Sequence, residues 1–361
     1  MVQAEAHFPA RQDVSAPHCI LAPDGTIAAG VTPTLSGSDL ADAMELMLLT
    51  RMFDDKAMRL QRQGRFGTFS QVRGQEAAVT GSAAALDPSR DWVVPQYREL
   101  PALLRQGFPL EHFILYFLGD PRGAEVPQGV RCLPLNIALA SQLPHAVGLA
   151  WGLRRQDQDG VVLAYFGDGA SSEGDAHEAM NLAGILKAPV VFLLSNNGWA
   201  ISTPRSKQSA ATSLAARAPG YGMPGILVDG NDLLAVHQVT AEAVARARAG
   251  DGPTLIEAIT YRVGPHNTAD DPSRYVDPAE RDSWLGRDPI SRVEQYLTTC
   301  GLWSKSIAAA VEERNRETVD GALAAAASRG APTADLLFDH LYADAPARIR
   351  RQRSEFTGQG R

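Results

Sequence analysis

The sequence predicts an α/β protein built on an open, mostly parallel sheet with helices on both faces. Two observations carry that prediction. Val161 to Phe166 and Pro189 to Ser195 are short apolar runs rich in Val, Phe and Leu, and a helical stretch from about Glu173 to Lys187 lies between them. That order is a βαβ unit with a parallel strand pair. A further helix around Leu233 to Ala249 and a strand from Thr254 to Tyr261 repeat the alternation and extend the sheet.

Along the chain, residues 1–36 carry Pro9, Pro17, Pro23 and Pro33 with little periodicity, which predicts an extended N-terminal arm rather than a packed element. From Ser38, Leu40, Met44, Met47 and Leu48 share one face of a helix that ends near Gly64. After Gly286 and Asp288-Pro289, Ala-rich helical segments run to Gly330 with no solenoid repeat, so residues 37–361 read as one domain with a C-terminal helical tail.

With 361 residues, 38.7 kDa and 45% hydrophobic residues, the chain can bury a large core. A formal net charge of -7 and a pI near 5.6 give no reason to expect nucleic acid or an anionic membrane as partner. Cys19, Cys132 and Cys300 are too few and too scattered for a disulfide framework or thiolate metal site. Met1 to Ala10 lacks the apolar core of a secretory signal, and no apolar stretch nears the roughly 20 residues of a membrane span. Bacterial cytoplasm is the expected location.

After the strand Val161 to Phe166 comes Gly167-Asp168-Gly169-Ala170-Ser171-Ser172-Glu173-Gly174, a turn leading into a helix, where ligands of open α/β sheets sit. Glycines let backbone approach an anion, and a helix N-terminus offers free N–H groups, so a phosphate or diphosphate is favoured. Asp168 would repel such a ligand unless a cation lay between them. A divalent metal follows, most plausibly Mg²⁺ with its preference for oxygen ligands. After 26 further positions, residues 170–195, Asn196-Asn197-Gly198-Trp199 follows the next strand. This places two amides beside Asp168, and the Asn197 side-chain oxygen and the Trp199 carbonyl would complete an oxygen sphere.

Gly167-Asp168-Gly169, 26 residues and Asn196-Asn197 together match the thiamine-diphosphate motif of thiamine-dependent enzymes. Glu173-Gly174-Asp175-Ala176-His177-Glu178 and Asn197-Gly198-Trp199-Ala200-Ile201-Ser202-Thr203-Pro204 narrow the match. They resemble α subunits of branched-chain 2-oxo acid dehydrogenases and of Gram-positive-type pyruvate dehydrogenases, the E1 components of lipoyl-carrying complexes. The resemblance runs from about Leu40 to Arg353 and includes Gly74-Gln75-Glu76-Ala77, Pro95-Gln96-Tyr97-Arg98-Glu99 and Tyr261-Arg262-Val263-Gly264-Pro265-His266.

The resemblance implies the diphosphate-binding half of a thiamine-diphosphate fold, with Gly167, Gly169 and Ala170 at the cofactor. It sets Tyr97 and Arg98 on the diphosphate, Arg98 as a permanent forked cation. His266 would be the catalytic histidine facing cofactor and substrate. Leu139 would wedge under the bent cofactor, with Ile137 backbone near its aminopyrimidine ring, although Leu139 also suits plain helix core. Asp168, Asn197 and Trp199 would hold Mg²⁺. Relatives build a potassium site from the stretch 134–142, but only Ser141 and Gln142 retain suitable side chains here. Ser195 replaces an Arg of the mammalian branched-chain subunits, and Asn267 replaces their phosphorylated serine, so that kinase switch is not expected.

The implied reaction is oxidative decarboxylation of a 2-oxo acid with acyl transfer to the lipoyl group of an acyltransferase partner. The glutamate that activates the cofactor would come from a β subunit in an α₂β₂ heterotetramer. The expected substrate is a branched-chain acid of the 3-methyl-2-oxobutanoate type, suggested by Ser172 to His177. Val130 to Pro134 and Lys187 to Pro189 suggest pyruvate instead, with acetoin cleavage and an assembly-only subunit as further alternatives.

Overall fold

The computed structural model describes residues 14–339 and 341–358. Its seven strands are β1 (Trp92–Val94), β2 (Val162–Gly167), β3 (Val190–Asn196), β4 (Trp199–Ala200), β5 (Thr203–Pro204), β6 (Gly225–Asp229) and β7 (Thr254–Ile259). Five of them form one parallel sheet in the order β1-β2-β3-β7-β6, while β4 and β5 make a small antiparallel hairpin. The predicted βαβ unit is therefore the centre of the sheet. The expected open, mostly parallel architecture is the observed one.

Strand alternation decides where the core sits, because successive side chains point to opposite faces. Leu163 and Tyr165 of β2 join Val191 and Leu193 of β3 in one apolar cluster; Val162, Ala164 and Phe166 join Val190, Phe192 and Leu194 in another. Both faces are thus buried, which is why these strands read as continuous apolar runs rather than alternating ones.

Helices α1 (Gly37–Arg62), α2 (Glu76–Ala84), α3 (Leu100–Arg105) and α4 (Leu110–Phe117) pack on the first face. The second face is covered by α5 (Gln142–Arg155) and α6 (Gly174–Leu186). A single turn, α7 (Arg205–Gln208), follows the hairpin. Then α8 (Leu233–Arg248) returns the chain to the first face, followed by α9 (Pro278–Leu285), α10 (Pro289–Thr299), α11 (Lys305–Ser328) and α12 (Ala347–Phe356). Caps set several of these starts: Ser36 accepts from Asp39 N at α1, and Asp232 accepts from Leu234 N and Ala235 N at α8. Phe53, Phe66, Phe69, Phe113 and Phe117, with neighbouring ring centroids 5.0–6.3 Å apart and mostly edge-on, tie α1 to α4 beside the site described below.

The expectation of an unpacked arm over residues 1–36 is corrected where the segment is described; Met1 to Asp13 lie outside the described residues. His18 pairs in parallel with Val228 at the β6 edge, and Ile20 and Leu21 are buried in the core. Both amides of that apolar pair donate to the Asp232 carboxylate, at 2.6 and 2.7 Å. An edge position needs few donors, so Pro17 and Pro23 are tolerated there. Among the described residues, no helix is long and apolar enough to cross a membrane.

Candidate active site

One wall of the site grows from the carboxyl ends of the central strands. Register sets Gly167 opposite Ser195, and Asn196 opposite Ile259, so the glycine turn, the Asn pair and the chain leaving β7 emerge side by side. Asp168 is 1% exposed, and burial raises its carboxyl above the usual range. The Asn197 backbone amide and Gln208 Nε2, the latter at 2.8 Å, donate to it. Gly169 permits a close approach: a Cβ there would stand 2.8 Å from that of Ala200.

Asn197 faces this turn, but the expectation of two amides beside Asp168 is corrected. Asn196 turns away, its Nδ2 donating to buried Glu257 at 2.7 Å and its Oδ1 accepting from Gly198 N at 3.2 Å. Asn196 is the last residue of β3 and Asn197 follows it, so the alternation of the strand turns their side chains to different sides.

The opposite wall comes from loops near α2 and α3 and from the segment after β7. The Arg98 guanidinium donates to the Gln71 carbonyl and, at 2.6 Å, to the His266 carbonyl, and stands over the Tyr97 ring. Glu99 grips the backbone behind them: one carboxylate oxygen accepts from Gln96 N at 2.9 Å and Arg98 N at 2.8 Å. Burial pushes that carboxyl up to about 7. His266 is half-buried, and burial with the nearby charges of Arg98 and Arg262 lowers its pKa to about 4. The imidazole is therefore neutral at pH 7.

Three charged groups to which the sequence reading gives no role fix these loops. Arg262 donates to the Ile201 carbonyl at 2.6 Å, to the Tyr275 hydroxyl at 2.7 Å and weakly to the Trp199 carbonyl at 3.4 Å. Asp54, fully buried in α1, accepts from Val72 N and Arg73 N at 2.8 and 2.9 Å. Glu76 accepts from Gly74 N at 2.8 Å and pairs with Arg51 at 2.7 Å, which also reaches Asp288. A signal existed for Asp54, since it falls seven positions after Met47 on the apolar face of α1, where a carboxylate requires buried partners. Glu99, like Glu76, takes no role from the sequence; its bonds assign it to holding the Tyr97–Arg98 backbone.

The walls enclose a cavity of about 470 Å³ lined by Tyr97, Arg98, Ile137, Leu139, Gly167, Asp168, Gly169, Ala170, Asn197, Trp199 and His266. Every cofactor, metal and catalytic residue expected from the sequence is thus on one cavity. Leu139 and Ile137 sit on a turn before α5, not in a helix, and remain 41% and 57% exposed. The helix-core alternative for Leu139 is thereby removed. Ser141 and Gln142 do not line the cavity: Ser141 bonds Asn136 and Ala138, and Gln142 Nε2 donates to the Tyr165 carbonyl at 2.8 Å.

The residues present suit a thiamine diphosphate–metal pair. The buried Asp168 carboxylate has no ion-pair partner among the described residues, exposed apolar side chains await a ring system, and buried amide donors of Gln75 and Gln96 lack acceptors.

Fold and cavity together define an open-sheet α/β protein with a ligand site beyond the carboxyl ends of its strands. The chain belongs to the Dehydrogenase E1 component family, whose family model matches residues 44–335. That family consists of thiamine-diphosphate-dependent enzymes. The 3-methyl-2-oxobutanoate dehydrogenase subunit alpha of Mycobacterium tuberculosis (strain ATCC 25618 / H37Rv) is 44% identical over 342 residues, 94% of this chain and 93% of that protein. The pyruvate dehydrogenase E1 component subunit alpha of Staphylococcus epidermidis (strain ATCC 12228 / FDA PCI 1200) is 41% identical over 335 residues, 92% of this chain and 90% of that protein. Its Staphylococcus aureus (strain COL) counterpart is 41% identical over 323 residues, covering 89% and 87%.

Proposed function

We propose that the chain is the α subunit of a branched-chain 2-oxo acid dehydrogenase, working with a β subunit and passing its acyl product to the lipoyl group of an acyltransferase. The observation that carries this reading is the convergence of Asp168, Asn197, Tyr97, Arg98 and His266 on one cavity. In it, Asp168, the Asn197 oxygen and the Trp199 carbonyl would hold Mg²⁺, while Tyr97, Arg98 and the backbone at Gly167, Gly169 and Ala170 would meet the diphosphate. Leu139 and Ile137, which line the same cavity, would support the cofactor. When bound, thiamine diphosphate supplies the nucleophilic carbon that attacks a 2-oxo group and allows CO₂ to leave. Neutral His266, oriented by Arg98, donates to or accepts from the substrate without adding charge.

No potassium ion belongs to this proposal, since Ser141 and Gln142 are engaged elsewhere. Three free thiols suit a reducing cytoplasm. A second reading changes only the substrate, to pyruvate, and is favoured by the Staphylococcus relatives. One methylene changes discrimination by only about 1 to 3 kcal/mol. The test is turnover of the chain assembled with its β subunit, comparing 3-methyl-2-oxobutanoate with pyruvate by ferricyanide reduction. Preference for the branched acid supports the first reading, preference for pyruvate the second, and no turnover of either refutes both.

A further inference from the structure

One buried donor of the cavity has no role in the assignment above. Gln75 stands at the start of α2 and is 2% exposed. Its side-chain orientation follows from a series of bonds that begins at a backbone amide, which can only donate. Trp199 N donates to Asn197 Oδ1 at 3.3 Å, so Nδ2 is the Asn197 atom that faces Gln75, and it donates to Gln75 Oε1 at 3.1 Å. Gln75 Nε2 is left as the outward donor. It is buried and has no hydrogen-bond partner among the described residues, an unfavourable state for an amide unless a ligand supplies the acceptor.

The backbone holds this donor firmly. Gln75 N donates to the Val72 carbonyl at 2.9 Å, and the preceding Gly74 N donates to Glu76 at 2.8 Å. Gly74 has φ +90° and lies so close to the Tyr261 backbone that a Cβ would stand 2.3 Å from its carbonyl oxygen. The loop therefore cannot swing Gln75 away without breaking both attachments. Gln96 Nε2 is a second buried donor without a partner on the same cavity, so the site holds more donors than the described residues satisfy. An anionic, oxygen-rich ligand answers that imbalance.

We propose that Gln75 is a cofactor-binding residue whose side-chain amide donates to a diphosphate oxygen, beside the metal end marked by Asn197 and Asp168. This rests on the reading of the cavity as a thiamine diphosphate site. The remaining lone pair of Asn197 Oδ1 stays available to the metal, so one amide series orients both a metal ligand and a phosphate donor.

The experiment measures binding of thiamine diphosphate and of thiamine, each with Mg²⁺, by titration calorimetry on the full chain assembled with its β subunit. Gln75→Glu is the informative variant: it keeps an oxygen for Asn197 Nδ2 and exchanges the outward donor for a second oxygen. Gln75→Leu removes both. The expected result is a loss of roughly 10-fold or more in thiamine diphosphate affinity in both variants, with thiamine affinity unchanged, as for a lost charge-assisted bond. Wild-type affinity in Gln75→Glu overturns the proposal and leaves Gln75 as a support for Asn197. Equal losses for thiamine and thiamine diphosphate overturn it as well, because a phosphate contact is absent from thiamine. Failure of the wild-type assembly to bind thiamine diphosphate is a different result, and it removes the functional reading itself.

Discussion

The two walls of the cavity are built by different means. The Asp168 wall is regular: a strand, a glycine turn and a helix, followed by the next strand and its Asn, all within residues 162–199. The Arg98 wall is irregular, and it is held by buried charges that reach far along the chain. Arg98 meets His266 across 168 residues, and Arg51 meets Asp288 across 237. A βαβ turn needs only local geometry to point its ligands. A wall of loops needs an ion or carboxylate gripping each backbone stretch, because a buried loop cannot leave its amides unpaired.

That difference is open to attack, and the largest effect should come from the regular wall. Asp168→Ala removes the only acid proposed for the metal. Mg²⁺-dependent cofactor binding should disappear and turnover fall on the order of 10³-fold, about 4 kcal/mol, while circular dichroism stays unchanged. Retained metal dependence would show that this wall does not hold the cation.

On the irregular wall, Arg98→Lys tests whether the charge or the fork matters. A lysine lacks the planar fork whose two nitrogens reach the Gln71 and His266 carbonyls separately, so the cofactor dissociation constant should rise about 10- to 100-fold. An unchanged constant would reduce Arg98 to a point charge.

A smaller effect separates the groups by pH. Unfolded, the His266 ring takes a proton near its ordinary 6.5, but folded it does so only near 4. The unfolded state thus binds more protons between those values, and this residue's contribution to stability is lost as pH falls from 6.5 to 4. Glu99 has the opposite sign. Its carboxyl titrates near 7 when folded and near 4.5 when unfolded, so its contribution is lost as pH rises from 4.5 to 7. Urea unfolding of His266→Gln should show a shallower acid-side loss than wild type. Glu99→Gln should gain relative stability at pH 8 over pH 5. Parallel wild-type and variant profiles would contradict these assignments.

The smallest effect is expected outside both walls. Arg351 pairs with Glu355 at 3.8 Å on the exposed α12 helix, and both side chains are largely solvated. Arg351→Ala should change stability by less than about 0.5 kcal/mol in the same unfolding experiment.

The same contrast explains what the sequence disclosed. Val161 to Phe166 and Pro189 to Ser195 were legible because burial on both faces makes a strand continuously apolar. The turn that they carry was legible with them. β1, at three residues, is too short to show a period, and β6, opened by Gly225 and closed by Asp229, reads as a turn. On the irregular wall, Tyr97, Arg98 and His266 came from family resemblance, while their holders Glu99 and Arg262 lay in the same matching stretches without a role and Asp54 lay outside the quoted motifs. The place of Asp54 on the apolar face of α1 calls for buried partners without saying which. Only the folded chain reveals that Asp54 faces the amides of Val72 and Arg73.

The proposed function requires both walls to converge on a single metal-linked diphosphate, and calorimetric titration of thiamine diphosphate into the α–β assembly, with Mg²⁺ and then with EDTA, tests that convergence most directly. The expected result is saturable binding with Mg²⁺ that is lost with EDTA, and lost also in Asp168→Ala with Mg²⁺ present. Equal binding with and without the metal, or none under either condition, would contradict it.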